Sequence, residues 1–194
     1  METLQLPQSK DEVSLIVKYL QEGKVLVVPT DTVYGLVCDA TNEEAVEKIF
    51  SIKKREKSKP LLVFVRDVEM AEKYAEVGDI QKEFLSKNWP GDTSVVLRAK
   101  DGLSKLVYKN GTIGLRQPNH GLIAMVLEEF KKPLAQTSAN ISGQPATVKI
   151  EEILRQFESQ NVQPDLVVDA GDLLEKKPSK IVDFTEEARK IIRY

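Results

Sequence analysis

Apolar positions along this chain alternate between two rhythms, and the first is helical. Val13, Ile16, Val17 and Leu20 fall at i, i+3, i+4 and i+7, which places them on one helix face. Ser9 and Glu12 have the spacing of a capping box, and Gly23 sits where a helix stops, so a helix is predicted from about Lys10 to Glu22. The next run, Val25 to Val28, is continuously apolar and closed by Pro29, the pattern of an inner strand. After the polar loop Thr30-Asp31-Thr32, a second strand is expected over Tyr34 to Cys38. Asn42 then caps a helix whose inner face is Val46, Ile49 and Phe50. Further along, strands are predicted at Leu61 to Val65, Ser94 to Arg98, Thr112 to Arg116, Leu166 to Val168, Ile181 to Phe184 and Lys190 to Arg193. A short strand is also expected over Pro133-Leu134-Ala135. Acid-rich helices are expected over Val68 to Glu76 and Ile80 to Lys87, the second ended by Trp89-Pro90-Gly91. Two more follow, near Leu122 to Phe130 and, capped by Thr147, over about Lys149 to Phe157.

Helices and strands interleave here without a strict βαβ period. That favours one twisted sheet of mixed parallel and antiparallel strands, flanked by helices, over a doubly wound parallel one. No repeat, low-complexity tract or linker interrupts the 194 residues, so a single domain over 1–194 is expected. Composition narrows the class. At 41% hydrophobic and 30% charged the chain has the balance of a soluble folded protein. One cysteine, Cys38, leaves no disulfide framework and reads as a small core residue. One histidine, His120, leaves no zinc cluster and no Ser-His-Asp relay. No run approaches a membrane span and the opening residues form no signal peptide, so a cytoplasmic location is expected.

The net charge of −2 predicts no polyanion partner by itself, but the charges are segregated. Acids concentrate in the helices. Cations concentrate in connections: Lys53 to Lys59, Lys100, Lys105, Lys109, Arg116, Lys176, Lys177 and Lys180. A near-neutral chain can therefore carry a positive concave groove and an acidic back, although solvated loop lysines with no common focus would give the same count. The segment Lys53-Lys54-Arg55-Glu56-Lys57-Ser58-Lys59 packs five cations and one acid into seven residues. Thr137-Ser138-Ala139-Asn140-Ile141-Ser142-Gly143 sets three hydroxyls, an amide and a glycine after an apolar run, many short donors with no charge. Taken alone the latter could be a plain turn. Together the two segments suggest a site for a phosphate-bearing ligand. Neither a P-loop, nor a dinucleotide fingerprint, nor a G-x-S-x-G elbow is present, so catalysis by positioning and charge neutralisation fits better than a protein nucleophile.

In order along the chain, Pro29 to Gly35, Lys53-Lys54-Arg55, Trp89-Pro90-Gly91, Gly114 to His120, Thr137 to Gly143, Asp169-Ala170-Gly171 and Ser179 to Asp183 resemble the motifs of the threonylcarbamoyl-AMP synthases, the YrdC-like family. The likeness runs over nearly the whole chain and includes the Lys-x-Arg and Ser-x-Asn pairs, here Lys53/Arg55 and Ser138/Asn140. It implies the YrdC-like fold and a nucleotidyl transfer. L-Threonine and bicarbonate or CO₂ give a carbamate whose carboxylate attacks the α-phosphate of ATP, releasing pyrophosphate and threonylcarbamoyl-AMP for tRNA threonylcarbamoyladenosine modification. By the same resemblance, Lys53, Arg55, Ser138 and Asn140 are the catalytic set. Lys57, Thr112 and Arg193 join them around ATP, while Thr30, Arg116 and Ser179 hold L-threonine. Mg²⁺ would come bridging the ATP phosphates, with no metal ligands from the protein alone. Implied partners are tRNA or double-stranded RNA and the proteins that pass on the threonylcarbamoyl group; no membrane is involved.

The chain departs from the family pattern at several places. Glu56 replaces a common proline, Phe64 a histidine of many members, Asp92-Thr93-Ser94 the usual Pro-Leu-Thr, and Lys180 a threonine. These bear on pocket detail more than on reaction class. The competing reading is a module that binds double-stranded RNA or tRNA without catalysis, which would need only the cations. A paralogue with the fold but no activity is disfavoured by the intact Lys53/Arg55 and Ser138/Asn140.

Overall fold

The computed structural model describes residues 1–6, 9–176, 179–186 and 190–193; Lys177, counted above among the connection cations, lies outside them. Helix α1 (Lys10–Gln21) begins at the Ser9/Glu12 capping box, with Val13, Ile16, Val17 and Leu20 as its buried stripe. Gly23 at φ +72° turns the chain out of it into β2 (Leu26–Val28), preceded in the chain by β1 (Glu2–Gln5). Then come β3 (Gly35–Asp39), α2 (Glu43–Lys53) capped by Asn42, β4 (Leu62–Phe64), α3 (Val68–Tyr74), α4 (Asp79–Asn88) and β5 (Thr93–Arg98). A 3₁₀ turn (Lys105–Val107), β6 (Tyr108–Lys109), β7 (Thr112–Arg116), α5 (Gly121–Phe130) and β8 (Leu134–Ser138) follow. The chain ends with α6 (Ile150–Glu158), β9 (Leu166–Asp169), β10 (Lys180–Asp183) and β11 (Lys190–Arg193).

The strands form one sheet in the order β1-β9-β2-β3-β8-β4-β7-β5-β10-β11, with β6 paired to β7. Pairs β1/β9, β2/β9, β4/β7 and β5/β10 are parallel, whereas β2/β3, β3/β8, β4/β8 and β5/β7 are antiparallel. The mixed sheet expected from the element order is the one observed. Two short strands were not foreseen, β1 and β6. Glu2–Gln5 alternates without a clear apolar face and becomes a strand only beside β9, in the register Glu2↔Leu166. The predicted cap of α6 also shifts. The N-cap is Lys149, which makes no side-chain cap bond, and Asp172 Oδ1 accepts from Ile150 N at 3.2 Å. Thr147 Oγ1 instead accepts from Lys149 N and donates to Glu152, two residues too early to cap the helix.

The two faces of the sheet are covered unequally. One packs against α2, α3, α4 and α6 through residues such as Ile49, Phe50, Met70, Leu85, Ile153 and Phe157. The other packs against α1 and α5, whose buried residues meet Leu26, Val28, Val37, Phe64, Leu134, Leu166 and Val168. Those strand residues belong to β2, β3, β4, β8 and β9, so this helix pair stops short of β7 and β5. Ile113 and Leu115 face the first core, so Thr112, Gly114 and Arg116 face the open side. Among the described residues, a strip of sheet beyond α1 and α5 is thereby left without a helix over it. Cys38 is fully buried in the first core, as expected, and burial pushes its thiol well up.

Candidate active site

At one end of that strip lies the Ser/Asn loop, held by a buried lysine. Helix α2 ends with Lys54 in the left-handed region, φ 52°, which turns the chain back so that Lys53 points inward and is only 2% exposed. Its Nζ donates to Ser138 O at 2.6 Å, Asn140 O at 2.7 Å and Asn140 Oδ1 at 2.9 Å. Three oxygens call for three N–H donors, which the ammonium has and the neutral amine lacks. Burial and the Arg55 charge act against that ammonium and lower Lys53 to about 7. Ser138 Oγ also donates to Asn140 Oδ1, at 2.6 Å, and Asn140 Nδ2 donates to Ile141 O and Gln144 O. Ser142 N returns a bond to Lys53 O. The amide and hydroxyl of this loop are thus fixed before any ligand arrives.

Arg55 is half-buried beside them. Its Nε donates to Lys59 O at 2.9 Å and Nη2 to Pro60 O at 3.2 Å, while Nη1 makes no bond among the described residues. The register Leu62↔Gln136 of β4 and β8, continued two residues, sets Pro60 opposite Ser138. Continuing Val63↔Leu115 sets Thr112 at the same level. Thr112 Oγ1 donates to Lys109 O at 2.7 Å. Lys53, Arg55, Ser138, Asn140 and Thr112 therefore gather at one end of the open strip. Lys57 is exposed and paired with Glu47; Lys59 pairs with Glu56 at 3.3 Å, so the unusual acid of this segment is offset locally. Exposed pairs of this kind contribute about 0–1 kcal/mol and exchange easily for a stronger anion.

Arg116, four residues along β7 from Thr112 and so ~13 Å away, heads the second cluster. It is 2% exposed, and its guanidinium is held on three sides. Nε donates to Gly91 O at 2.8 Å, Nη2 donates to Asp31 Oδ2 at 2.7 Å, and the Phe64 ring lies beneath at 6.0 Å. Burial lowers Arg116, with Asp31 and Asp92 acting in the opposite sense and Arg193 adding to the lowering. Ser94, opposite Arg116 by continuation of Val95↔Leu115, shares a 3.2 Å hydroxyl contact with buried Ser179. Arg193 donates to Ser179 O at 2.8 Å and to Ser179 Oγ at 2.9 Å. Arg193 therefore stands with Arg116 and Ser179, away from the Lys53 cluster. Thr30 Oγ1 closes its own turn, donating to Val33 O at 2.6 Å and accepting from Thr32 N, next to Asp31.

Between the clusters the strip is kept low by Gly114. A Cβ on Gly114 would stand 3.1 Å from Leu62 Cδ1, while at the level of the first cluster one on Gly35, which pairs with Ser138, would stand 3.1 Å from Gln136 Nε2 and 3.3 Å from Thr30 Cγ2. Asp31 lies within the Pro29–Gly35 motif without a role assigned from sequence, yet it ties that turn to β7. The available signal was an acid between two strand runs in a chain whose Arg116 needed a partner. Among the described residues no three His, Cys, Asp or Glu side chains gather as a metal site, and no helix is long and apolar enough to cross a membrane.

Polar loops meeting at strand ends, over an uncovered strip of α/β sheet, define a small-ligand-binding α/β protein. The Sua5/YciO/YrdC family model, described as "Telomere recombination", matches residues 18–194, and the chain belongs to this family. A putative threonylcarbamoyl-AMP synthase of Methanocaldococcus jannaschii is 36% identical over 180 residues, 93% of this chain and 84% of the relative. The threonylcarbamoyl-AMP synthase of Vibrio vulnificus is 34% identical over 178 residues, 89% and 93% of the two chains. The fold is also that of Pyrococcus abyssi Sua5 complexed with L-threonine, with a TM-score of 0.90 at 26% identity. That match covers 99% of this chain but 56% of the other, so the chain spans a little over half the length of that relative.

Proposed function

We propose that this protein is an L-threonylcarbamoyladenylate synthase, making threonylcarbamoyl-AMP and pyrophosphate from ATP, L-threonine and bicarbonate or CO₂. The observation that carries this is the pinning of Ser138 and Asn140 by buried Lys53, which preorganises the polar loop beside the unspent Nη1 of Arg55. Adenylate formation needs that preorganisation, because no covalent intermediate with the protein is required. The carbamate carboxylate attacks the α-phosphorus, the bond to the bridging oxygen breaks, and pyrophosphate leaves with that electron pair.

In this reading ATP lies along the open strip with its triphosphate toward the Lys53 end. Arg55 meets the phosphates through Nη1, while Lys57 and Lys59 leave their exposed carboxylate partners to join it, making this end of the strip positive. Lys53 acts mainly by holding the loop, since its donors already have partners. Thr112 borders the same end. Arg116 takes the threonine carboxylate, with Thr30 and Ser179 shaping its surroundings; Arg193, beside Ser179, adds positive charge where amino acid and nucleotide meet. Mg²⁺ enters with ATP as part of that substrate. The product, a mixed carbamic–phosphoric anhydride, is labile in water and is passed to proteins that transfer threonylcarbamoyl to tRNA, with direct contact of the cationic loop to RNA as part of the same assignment. Pyrophosphate release should require ATP, L-threonine, bicarbonate and Mg²⁺ together; release without threonine would count against the assignment.

A further inference from the structure

Asp31 holds a position that its loop setting did not announce. Its side chain is 8% exposed. Oδ2 accepts two donors, Arg116 Nη2 at 2.7 Å and Asn119 N at 3.0 Å, whereas Oδ1 is sealed from water with no partner. A buried carboxylate oxygen left unpaired forfeits its hydration with nothing in return. Nothing in the fold requires it, because Oδ2 alone already joins the two loops. Arg116 shows the converse. Its Nη1 has no partner among the described residues and is not one of the sealed polar atoms, so one edge of the guanidinium stays available. Asp31 also lines a cavity of about 450 Å³ with Thr32, Gly91, Asp92, Asn119 and Lys176.

The charges at this end largely offset one another. Asp31 and Asp92 stand against Arg116, Lys176 and Arg193, which leaves one cation in excess, yet the Asp31–Arg116 pair is neutral as a unit. A neutral pair attracts a simple anion weakly, since the carboxylate beside the guanidinium repels it. A ligand carrying both charges on adjacent carbons meets both halves of the pair. We propose that Asp31 selects the amino acid at this site. Through Oδ2 it positions Arg116 for the substrate carboxylate, and its unpaired Oδ1, reached when the Thr30–Thr32 turn gives way toward the cavity that Asp31 lines, accepts the substrate ammonium, so that the pair takes an α-amino acid zwitterion and discriminates against the same skeleton without its amino group.

This inference rests on the proposed function, and calorimetry on the full chain separates the two. L-Threonine and 3-hydroxybutyrate, the same hydroxy acid lacking the amine, are titrated into wild type, Asp31→Asn and Asp31→Glu in parallel. Wild type should prefer threonine by about tenfold or more, the scale of one charge-assisted hydrogen bond. Asp31→Asn should lose that preference, because Arg116 then carries an uncompensated charge that draws 3-hydroxybutyrate in as threonine loses its ammonium partner. Asp31→Glu should retain it, and ATP affinity should stay unchanged in both variants, which general damage to the fold would not allow. An unaltered preference in Asp31→Asn, or a lost one in folded Asp31→Glu, overturns the proposal while leaving the synthase assignment standing. Should Asp31→Asn fail to fold, Asp31→Glu decides alone. Wild type that binds neither ligand and releases no pyrophosphate overturns both.

Discussion

Lys53 makes a measurable demand on this fold. In the folded chain burial and Arg55 lower it from 10.5 to about 7. Between those values the unfolded chain holds more protons at this position than the folded one, so folding stability rises with pH. By linkage the rise from about pH 7 to about pH 8.5 is on the order of 1–2 kcal/mol. The window is bounded on both sides. Below it His120, also lowered by burial, gives its own rise as pH climbs toward its ordinary value. Above it the buried Cys38 thiol, raised by the fold, makes stability fall once an unfolded chain can form the thiolate. Lys53→Met keeps an unbranched side chain of similar length but removes the titration. Urea unfolding at half-unit steps across the window should show wild type gaining stability while Lys53→Met stays flat. The bonds to Ser138 and Asn140 act to retain the proton, so a wild-type rise smaller than calculated would measure their strength. Parallel slopes in the two proteins would refute the reasoning, since the gain would then come from some other group.

Two further outcomes bear on the site. Ser138→Ala removes the hydroxyl donating to Asn140 Oδ1 and leaves Lys53 Nζ as that oxygen's remaining donor, so pyrophosphate release should fall on the order of a hundredfold. Its salt-dependent affinity for double-stranded RNA should not change; equal loss of both would favour a binding module over an enzyme. Gly114→Val places a branched side chain on the open strip, where the flexible Leu62 end can shift to admit it. Thermal stability should move little while ATP affinity drops by about tenfold or more, as expected for displacing a ligand from a filled surface. Undiminished ATP binding would show that the nucleotide does not lie there.

How far the chain could be read in advance followed from the range of each interaction. The stripe Val13, Ile16, Val17 and Leu20, its capping box and the Asn42 cap are set by residues within one or two turns, and all appear in the fold where local pattern put them. Buried strands announced themselves as apolar runs, and the interleaving of elements already favoured a mixed sheet. The loop residues bearing the Lys-x-Arg and Ser-x-Asn pairs could be picked out by chemistry and by family resemblance. Their convergence could not, because Lys53 and Ser138 meet only through the pairing of β3, β4 and β8. The same holds for β1, a strand only because β9 lies beside it, and for Arg193, whose bonds to Ser179 bring the end of the chain to Arg116. Asp31 is the sharpest case. Sequence shows an acid in a turn, whereas the folded chain makes it the buried partner of an arginine 85 positions away. Local pattern determines which segments become helices and strands, since those bonds close within a few residues. Which polar groups share one low-dielectric site is decided by sheet order, through contacts that no short window of sequence contains.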